Sequence, residues 1–238
     1  MPRKKTAIVT GASGGIGAGL VEGFLNQGYN VIGTSLNASQ SLTATPTLVL
    51  VDGDDGKQET AAKAVEAAIQ RFGTVDVLVN NAGIFRIKPF TEFTTEDFHA
   101  LFSTNVLGFL YMTQLTVKQM LKRKSGNVVT ISAALADQPF TGEKASVSMM
   151  TKGGLNSITR SLAIEYAKEG IRFNAVAPGV VDSPLHKDAP KDILKTFQPT
   201  GKIVEVKDVV DAVLYLAEAG QITGEVLHVD GSAHAGRW

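Results

Sequence analysis

The stretch TGASGGIG, residues 10–17, joins the short β-branched segment TAIVT to a run of helical periodicity over 16–27. Three of its four glycines, at positions 11, 15 and 17, allow a sharp turn, close approach of the backbone to a ligand, and tight packing of helix against strand. The N-terminus of the following helix offers free N–H groups and a positive dipole end to an anion. Taken alone, such a turn is consistent with dinucleotide binding and equally with simple close packing.

The remainder of the chain repeats this alternation of short apolar runs and longer segments of helical period. Continuous apolar strands between helices are typical of a parallel sheet buried on both faces, because each right-handed crossover lays a helix over it. The pattern predicts an α/β, three-layer, doubly wound Rossmann fold with a parallel sheet of about seven strands, formed as one domain over 1–238. The predicted strands are TAIVT, NVIGTS, TLVLV, VDVLVN, VVTIS, IRFNAVA and EVLHVD.

The predicted helices cover 16–27, 57–72, 147–168 and 207–217, with two more between 95 and 123. A proline-containing stretch over 178–201 predicts a loop over a site rather than a domain boundary. We interpret residues 184–204 as a substrate loop.

Composition limits the class of partner. The 238 residues include 23 basic and 23 acidic side chains and no cysteine. Balanced charge argues against nucleic acid or an anionic membrane surface as the main partner, and the lack of cysteine excludes disulfides and thiolate zinc sites. We expect no metal site. No apolar stretch approaches the roughly 20 residues that cross a bilayer, and the start MPRKKTAIVTG lacks a signal-peptide cleavage pattern. The sequence therefore predicts a cytoplasmic protein that binds a small molecule.

Several further motifs bear on the fold and the cofactor. The glycine spacing Gly-x3-Gly-x-Gly occurs together with NNAG at 80–83, PGVVDS at 178–183 and ITGEVLHVDGS near the end. Together they resemble the short-chain dehydrogenase/reductase family over nearly the whole chain. The resemblance implies an NAD(P)-dependent oxidoreductase that transfers a hydride to or from a small carbonyl or alcohol, or a related substrate.

The resemblance also implies roles for individual residues. Asp52 matches a position that holds the adenine amino group, and Asn105 a member of the catalytic tetrad. Pro178, Gly179 and Ser183 match the residues that hold the nicotinamide carboxamide. The expected cofactor-binding residues are Gly11, Ser13, Gly15, Ile16, Gly17, Ser35, Asp52, Asn81, Ala82, Gly83, Lys152, Pro178, Gly179 and Ser183.

The end of the second predicted strand bears on the choice between NAD and NADP. An acidic residue there binds the ribose diol and repels a 2′-phosphate, whereas basic residues attract the phosphate. The sequence VIGTSLNAS places Ser35 at this position and Leu36 after it, so no carboxylate opposes a 2′-phosphate. No arginine is present either, and Gly14 stands where NADP-preferring relatives often carry a basic residue. We expect NADP, with NAD as the alternative.

The segment EKASVSMMTKGG, residues 143–154, raises the question of the proton donor. In the family a Tyr-x3-Lys pair lies on one helical face, since residues i and i+4 are neighbours there. Lys152 matches the lysine, but the residue four positions earlier is Ser148. The segment ISAALADQ contains Ser132, yet Ala133 stands where the catalytic hydroxyl is usual, and the loop to Lys152 is longer than usual. The expected catalytic residues are Asn105, Ser132, Ser148 and Lys152.

The pKa of an alkyl hydroxyl makes Ser148 a poor general acid. Lowering a tyrosine pKa from about 10 to near 7 takes roughly 4 kcal/mol, which a nearby ammonium in a dry pocket can provide. Taking water as a guide, the same change for a serine takes on the order of 11 kcal/mol. Ser148 can still bond a substrate or relay a proton through water. The alternative donors are Lys152 itself, a carboxyl group of Asp137 or Glu143, and His186.

Two further expectations concern activity and assembly. A catalytically silent dinucleotide-binding sensor or assembly partner is the alternative to an enzyme, favoured by Ser148 and opposed by the retained Lys152, Asn105 and cofactor signature. The resemblance implies a homotetramer or homodimer, with the helix over 107–121 and the helix after Lys152 forming a four-helix interface. We expect Trp238 to pack against a neighbouring subunit, with a frayed terminus as the alternative.

Overall fold

The computed structural model describes residues 3–186 and 188–236, so the expected contact of Trp238 lies outside the described residues. Within these ranges seven parallel strands form one sheet in the order β3-β2-β1-β4-β5-β6-β7. The order reverses between β1 and β4, which is the switch point of a doubly wound sheet. The strands are β1 (Thr6–Thr10), β2 (Asn30–Ser35), β3 (Leu48–Asp52), β4 (Val77–Asn80), β5 (Gly126–Ile131), β6 (Ile171–Pro178) and β7 (Val226–Val229). The predicted fold is confirmed.

Helices cover both faces of the sheet and form the outer layers. Helices α1 and α8 pack together on one face, and α3, α5 and α6 cover the other. No helix of the described ranges has the length and apolar character needed to cross a membrane. The helices are α1 (Gly15–Asn26), α2 (Ala38–Ser41), α3 (Gln58–Phe72), α4 (Thr95–Phe102), α5 (Gly108–Leu121), α6 (Ser146–Tyr166), α7 (Lys191–Lys195) and α8 (Val206–Glu218).

The continuous apolar strands follow from burial on both faces. Successive strand residues point to opposite sides of a sheet. Val9 and Val79 accordingly pack in the layer of α1 and α8, whereas Ile8 and Leu78 pack in the layer of α3 and α5. All four side chains are fully buried. Because both faces of β1 and β4 are covered, these strands are apolar at successive positions and do not alternate between apolar and polar residues.

The segment between α4 and α5 departs from regular helix. Thr94 and Asp97 form a capping box at the start of α4, in which each side chain accepts a hydrogen bond from the other's backbone N–H at 3.2 Å. A π-helical stretch, Ser103–Leu107, then joins α4 to α5. Such wide turns are frequent at functional sites. This one carries Asn105, which is 2% exposed.

Candidate active site

The glycine-rich turn between β1 and α1 has no room for side chains at two positions. A Cβ on Gly17 would overlap the carbonyl oxygen of Gly11 and lie 2.8 Å from Asn81 Nδ2. Gly11 adopts a φ of +65°, and a Cβ there would lie 2.9 Å from the Ala82 Cα. The first turn of α1 therefore packs directly on the turn, and the turn packs on the segment that follows β4.

Hydrogen bonds tie that segment to the end of β1. The Thr10 hydroxyl accepts from the backbone N–H groups of Asn81 and Ala82, at 3.0 and 2.9 Å. The Asn81 side-chain amide donates to the Thr10 carbonyl at 2.8 Å. These bonds fix the two strand ends at the point where the strand order reverses, which is where α/β sheets bind their ligands.

Asp55 is a residue at this edge that sequence reasoning missed. It is 8% exposed, and its carboxylate accepts from the Gly11 N–H at 3.0 Å and from the Thr34 hydroxyl. Burial raises the pKa of Asp55. It therefore links the glycine-rich turn to the ends of β2 and β3. Its place just beyond β3, at the same sheet edge as Gly11, was the available signal.

Asp52, the acidic residue that the sequence assigned to adenine, lies at the exposed end of β3. Its carboxylate accepts from the Ser39 backbone N–H at 2.8 Å and from the Ser39 hydroxyl. Hydrogen bonding from the Ser39 side chain and backbone lowers the pKa of Asp52. The structure thus gives this carboxylate a local partner in α2.

Ser35 has the environment of a ligand-binding residue. It is 5% exposed at the end of β2, and its hydroxyl has no hydrogen-bond partner within the described residues. A buried hydroxyl left without a partner costs free energy, so it fits a ligand that supplies one. Leu36, which follows, is 68% exposed. An unpartnered hydroxyl near the glycine-rich turn fits the ribose and pyrophosphate of a dinucleotide.

The segment after β6 forms the opposite side of this crevice. A Cβ on Gly15 would lie 3.6 Å from the Ser183 Cβ, so Ser183 lies against the glycine-rich turn. Pro178 ends β6, and the Gly179 N–H donates to the Val229 carbonyl at 3.0 Å. Of the other expected cofactor residues, Ser13 is exposed in the turn and Ile16 is half-buried in the first turn of α1.

Lys152 and Asn105 meet at Gly83. A Cβ on Gly83 would lie 3.1 Å from Lys152 Nζ and 3.2 Å from Asn105 Oδ1, so the two polar groups flank this glycine. Lys152 is 8% exposed and donates to the Ile131 carbonyl at 2.9 Å. Desolvation lowers the pKa of Lys152 to about 8. Asn105 Oδ1 accepts from the Ile84 N–H at 2.8 Å, which fixes the chain just beyond Gly83.

The two serine hydroxyls point to backbone groups. Ser148 is fully buried; its Oγ accepts from the Arg86 N–H and donates to the Arg86 carbonyl, both at 2.9 Å. The chain after β4 therefore passes directly over α6 at this position. The Ser132 hydroxyl donates to the Lys152 carbonyl at 3.3 Å. The structure thus brings Lys152 and Asn105 together, whereas the hydroxyls of Ser148 and Ser132 are engaged within the fold.

The other side chains considered as proton donors also have local partners. The Asp137 carboxylate accepts from the Asn156 amide at 3.1 and 3.2 Å and from His228 Nε2 at 3.0 Å, which ties the loop after β5 to α6 and β7. His186 Nδ1 donates to the Val181 carbonyl at 3.0 Å. Glu143 is half-buried in the loop before α6.

The sheet order, the glycine-rich turn and the buried lysine define a dinucleotide-binding oxidoreductase of the Rossmann type. A family model described as enoyl-(acyl carrier protein) reductase matches residues 11–234. The 3-oxoacyl-[acyl-carrier-protein] reductase FabG of Vibrio cholerae is 31% identical, with 97% of each chain covered. The 3-oxoacyl-[acyl-carrier-protein] reductase of Bos taurus is 32% identical over 95% of this chain and 97% of the relative.

Two solved structures agree with these matches. ElxO with NADP bound superposes with a TM-score of 0.91 at 29% identity, covering 98% of this chain and all of that one. The 3-ketoacyl-(acyl-carrier-protein) reductase of Brucella melitensis complexed with NADH also has a TM-score of 0.91 at 29% identity, covering 98% and 99%. The chain belongs to the short-chain dehydrogenase/reductase family and is an NAD(P)-dependent oxidoreductase, so the resemblance noted in the sequence is confirmed.

Substitution of Gly17 tests the packing of the glycine-rich turn. Gly17→Ala should lower the free energy of unfolding by about 1–3 kcal/mol and weaken NADPH binding, because the added Cβ overlaps the Gly11 carbonyl. Gly14→Ala is the matched control, since a Cβ on Gly14 meets nothing within 4 Å. Urea unfolding and NADPH fluorescence titration measure both effects. Equal stability and affinity in the two variants would contradict the close packing.

The Ser148 bonds to Arg86 give a second prediction. Ser148→Ala should reduce the free energy of unfolding by about 1–3 kcal/mol, because it leaves two backbone groups of Arg86 without partners. Ser148→Tyr should reduce it further, because a ring has no space at a fully buried position. Urea unfolding measures both, with exposed Ser157→Ala on the same helix as control. A stable Ser148→Tyr variant would show that the chain after β4 does not occupy this space.

Proposed function

We propose that this protein interconverts a small carbonyl compound, or a related C=N or activated C=C substrate, and its reduced form, with Lys152 as the proton donor in place of a phenol. The nicotinamide cofactor supplies or accepts the hydride. The observation that carries the proposal is the buried ammonium of Lys152 beside Gly83 and Asn105. Two of the relatives are named 3-oxoacyl-[acyl-carrier-protein] reductases, which supports a ketone as the reducible group.

The lysine has the donors and the acidity that the reaction needs. An ammonium carries three N–H groups, of which one is used by the Ile131 carbonyl, so two remain for the cofactor and the substrate oxygen. A pKa of about 8 leaves Lys152 mainly protonated at neutral pH. Proton transfer to a developing alkoxide is then favourable, because an alkoxide, taking water as a guide, holds a proton more tightly by roughly 8 pKa units.

The environment of the other candidates supports Lys152. The Ser148 hydroxyl lies at the position where the family resemblance places a tyrosine, but its proton is donated to the Arg86 carbonyl. The Asp137 carboxylate accepts hydrogen bonds from Asn156 and His228, and the His186 ring donates one to the Val181 carbonyl. We therefore assign Ser148 and Ser132 to positioning: Ser148 fixes the chain after β4, and Ser132 bonds the backbone of Lys152.

The proposed dinucleotide site follows the glycine-rich turn. Gly11, Gly15 and Gly17 admit the pyrophosphate, and Asn81, Ala82, Gly83, Pro178, Gly179 and Ser183 border the nicotinamide end. The end of β2 carries Ser35 and Leu36 rather than an acidic residue, and the hydroxyl of Ser35 is free to bond a ligand, which supports NADP over NAD. Both cofactors occur among the structural relatives, one of which is named with NADP bound and another as complexed with NADH. We also propose that residues 184–204 cover the substrate, and that the enzyme acts in the cytoplasm.

The pH dependence of the reaction tests the role of Lys152. In carbonyl reduction kcat/KM should be level below pH 8 and fall about tenfold per pH unit above it, because the neutral amine cannot donate. Lys152→Met should lower kcat/KM by about 10²–10⁴-fold. Lys152→Arg keeps its positive charge at all working pH values, so its kcat/KM should be low and should not fall above pH 8. NADPH and NADH oxidation with a panel of aldehydes, ketones and imines measures these rates.

Exposed Lys168→Met, beyond the end of the same helix, is the control for charge removal and should retain full activity. If the Lys152→Met variant kept its activity, the proton donor would have to be a residue other than Lys152. Tight NADPH binding by the native protein without turnover of any substrate, alcohols included, would overturn the proposal and favour a silent dinucleotide-binding protein.

We further propose that the protein is a homotetramer or homodimer that associates through α5 and α6. Several apolar side chains on and near these helices face solvent in the single chain: Leu107, Leu110, Met150 and Ile164, the last 83% exposed. Apolar groups that are exposed together favour association, because burial removes them from water.

Ile164→Asp should therefore shift the protein to a smaller assembly, since it places a charge in the proposed interface. Size-exclusion chromatography with light scattering measures the mass. Ala62→Asp introduces the same charge at an exposed position of α3 and should leave the mass unchanged. A native protein that is monomeric at all concentrations would exclude the interface.

A further inference from the structure

A large cavity lies at the amino ends of the strands, at the edge of the sheet opposite the glycine-rich turn. Its volume is about 570 Å³, which is enough for a small organic molecule. Residues just before or at the start of β1, β4, β5 and β6 line it, together with the segment that follows α8. The lining residues that bear on binding are Lys5, Asp76, Asn127, Arg172, Glu218 and Gly220. None of them belongs to the proposed dinucleotide site.

Arg172 brings into this cavity a positive charge that has no carboxylate partner. Its guanidinium donates at 2.9 or 3.0 Å to three backbone carbonyls at and beyond the end of α8, those of Leu216, Ala217 and Ile222. These bonds use three of the five guanidinium N–H groups. Among the described residues no carboxylate lies within ion-pair distance of Arg172, since Glu218 is paired with Lys5. Two N–H groups of Arg172 therefore remain for an anion.

The other charged groups around the cavity do not cancel this charge. Asp76 pairs with two arginines, Arg3 at 2.7 Å and Arg123 at 3.0 Å. Lys5 pairs with Glu218 at 2.6 Å. Together with the guanidinium described above, these groups comprise four basic side chains and two carboxylates, which leaves two positive charges over. The chain as a whole is neutral, so this end of the sheet attracts anions by a local excess of charge.

Asn127 adds a hydrogen-bond acceptor that lacks a donor. It pairs in register with Arg172 on the neighbouring strand, so the two side chains lie on the same face of the sheet. Its amide nitrogen donates to the Leu216 carbonyl at 2.8 Å, whereas its Oδ1 has no hydrogen-bond partner within residues 3–186 and 188–236. The residue is 3% exposed, and a buried carbonyl oxygen without a partner costs free energy. A ligand hydroxyl group in the cavity would supply the missing donor.

We propose that this cavity binds a small organic dianion that carries a hydroxyl group, which is the chemistry shared by hydroxy dicarboxylates and glycerol-type phosphate esters. One anionic group accepts hydrogen bonds from the two remaining N–H groups of Arg172, and the hydroxyl group donates to Asn127 Oδ1. The positive charge left over at Arg3 and Arg123 compensates the second negative charge. The inference is independent of hydride transfer, because the cavity and Lys152 lie at opposite edges of the sheet.

Backbone amide NMR shifts locate the site and rank its ligands, with malate, succinate and succinamide as probes at neutral pH and low salt. Malate should shift the amides of Gly126, Gly170 and Gly220, which line the cavity, until they saturate. Succinate lacks the hydroxyl donor and should bind about fivefold more weakly than malate. Succinamide is uncharged and should bind about tenfold more weakly than succinate. Glycerol phosphate is the phosphate probe, and tighter binding of it than of malate would identify a phosphate ester as the ligand.

Gly220 allows the charge of the cavity to be changed while Arg172 continues to hold the end of α8. A Cβ on Gly220 meets nothing within 4 Å, so the position accepts a side chain. Gly220→Glu should weaken malate binding about tenfold, because its carboxylate repels the anion. Gly220→Lys has a side chain of similar length and opposite charge and should bind malate at least about tenfold more tightly than Gly220→Glu. Gly220→Ala should match the native affinity, and urea unfolding should give the three variants similar stability.

Three results would overturn the inference. The first is the absence of a saturable shift with both malate and glycerol phosphate. The second is a set of shifts confined to residues 11–17 and 81–83, which would place the anion in the dinucleotide crevice. The third is equal affinity for succinate and succinamide, or equal malate affinity of the glutamate and lysine variants, because charge would then not determine binding. The proposed reaction of Lys152 is measured separately by NADPH oxidation and stands or fails independently of these results.

Discussion

The close approach of helix α1 to the carbonyl oxygen of Gly11 sets the geometry of the site. Only a residue without Cβ at position 17 permits this contact, and the bonds from Asn81 and Ala82 to Thr10 then join β4 to β1 at the switch point. Gly83 follows these residues directly, and Lys152 and Asn105 lie against it. The glycine-rich turn, where we propose that the pyrophosphate binds, and the pair Lys152 and Asn105, where we propose that the reaction occurs, are therefore held by one short stretch of chain. A shift at the turn would displace both.

The same stretch continues to Ser148, at the position where the family resemblance places a tyrosine. Arg86 bonds Ser148 through its backbone and Asp97 through its side chain, and Lys88 pairs with the same carboxylate. Hydrogen bonds from Lys88 and Thr94 lower the pKa of Asp97 to about 2, so its carboxylate stays charged throughout the working pH range. The chain after β4 is thereby fixed over α6, where a ring at position 148 would need space. The serine and this path of the chain are complementary.

The sequence was sufficient for the fold because the fold is encoded locally. Apolar runs such as TAIVT and VDVLVN specify strands buried on both faces, and the alternation with helices leaves a parallel sheet as the simplest arrangement. Lys152 and Asn105 could also be placed, since each is anchored to a motif. The hydrogen-bond partner of Ser148 could not be predicted, because Arg86 is distant in the chain and its bonds to Ser148 are made by backbone groups, which every residue has. Asp55 was missed for a related reason: its value lies in a contact with Gly11, which only the folded sheet edge creates.

Exclusion of water from Lys152 determines how well this side chain could serve as the proposed proton donor. An ammonium in water has a pKa near 10.4, and desolvation is what brings that of Lys152 to about 8. Hydrogen bonds of Asp137, Lys144 and Gln198 fix the loops that follow β5 and β6. A substrate that binds beside Lys152 would displace further water, which would lower the lysine pKa and strengthen each remaining electrostatic contact. In the proposed mechanism the lysine would become a stronger acid when the substrate binds, an effect that a serine hydroxyl, some 8 pKa units from the working range, does not provide.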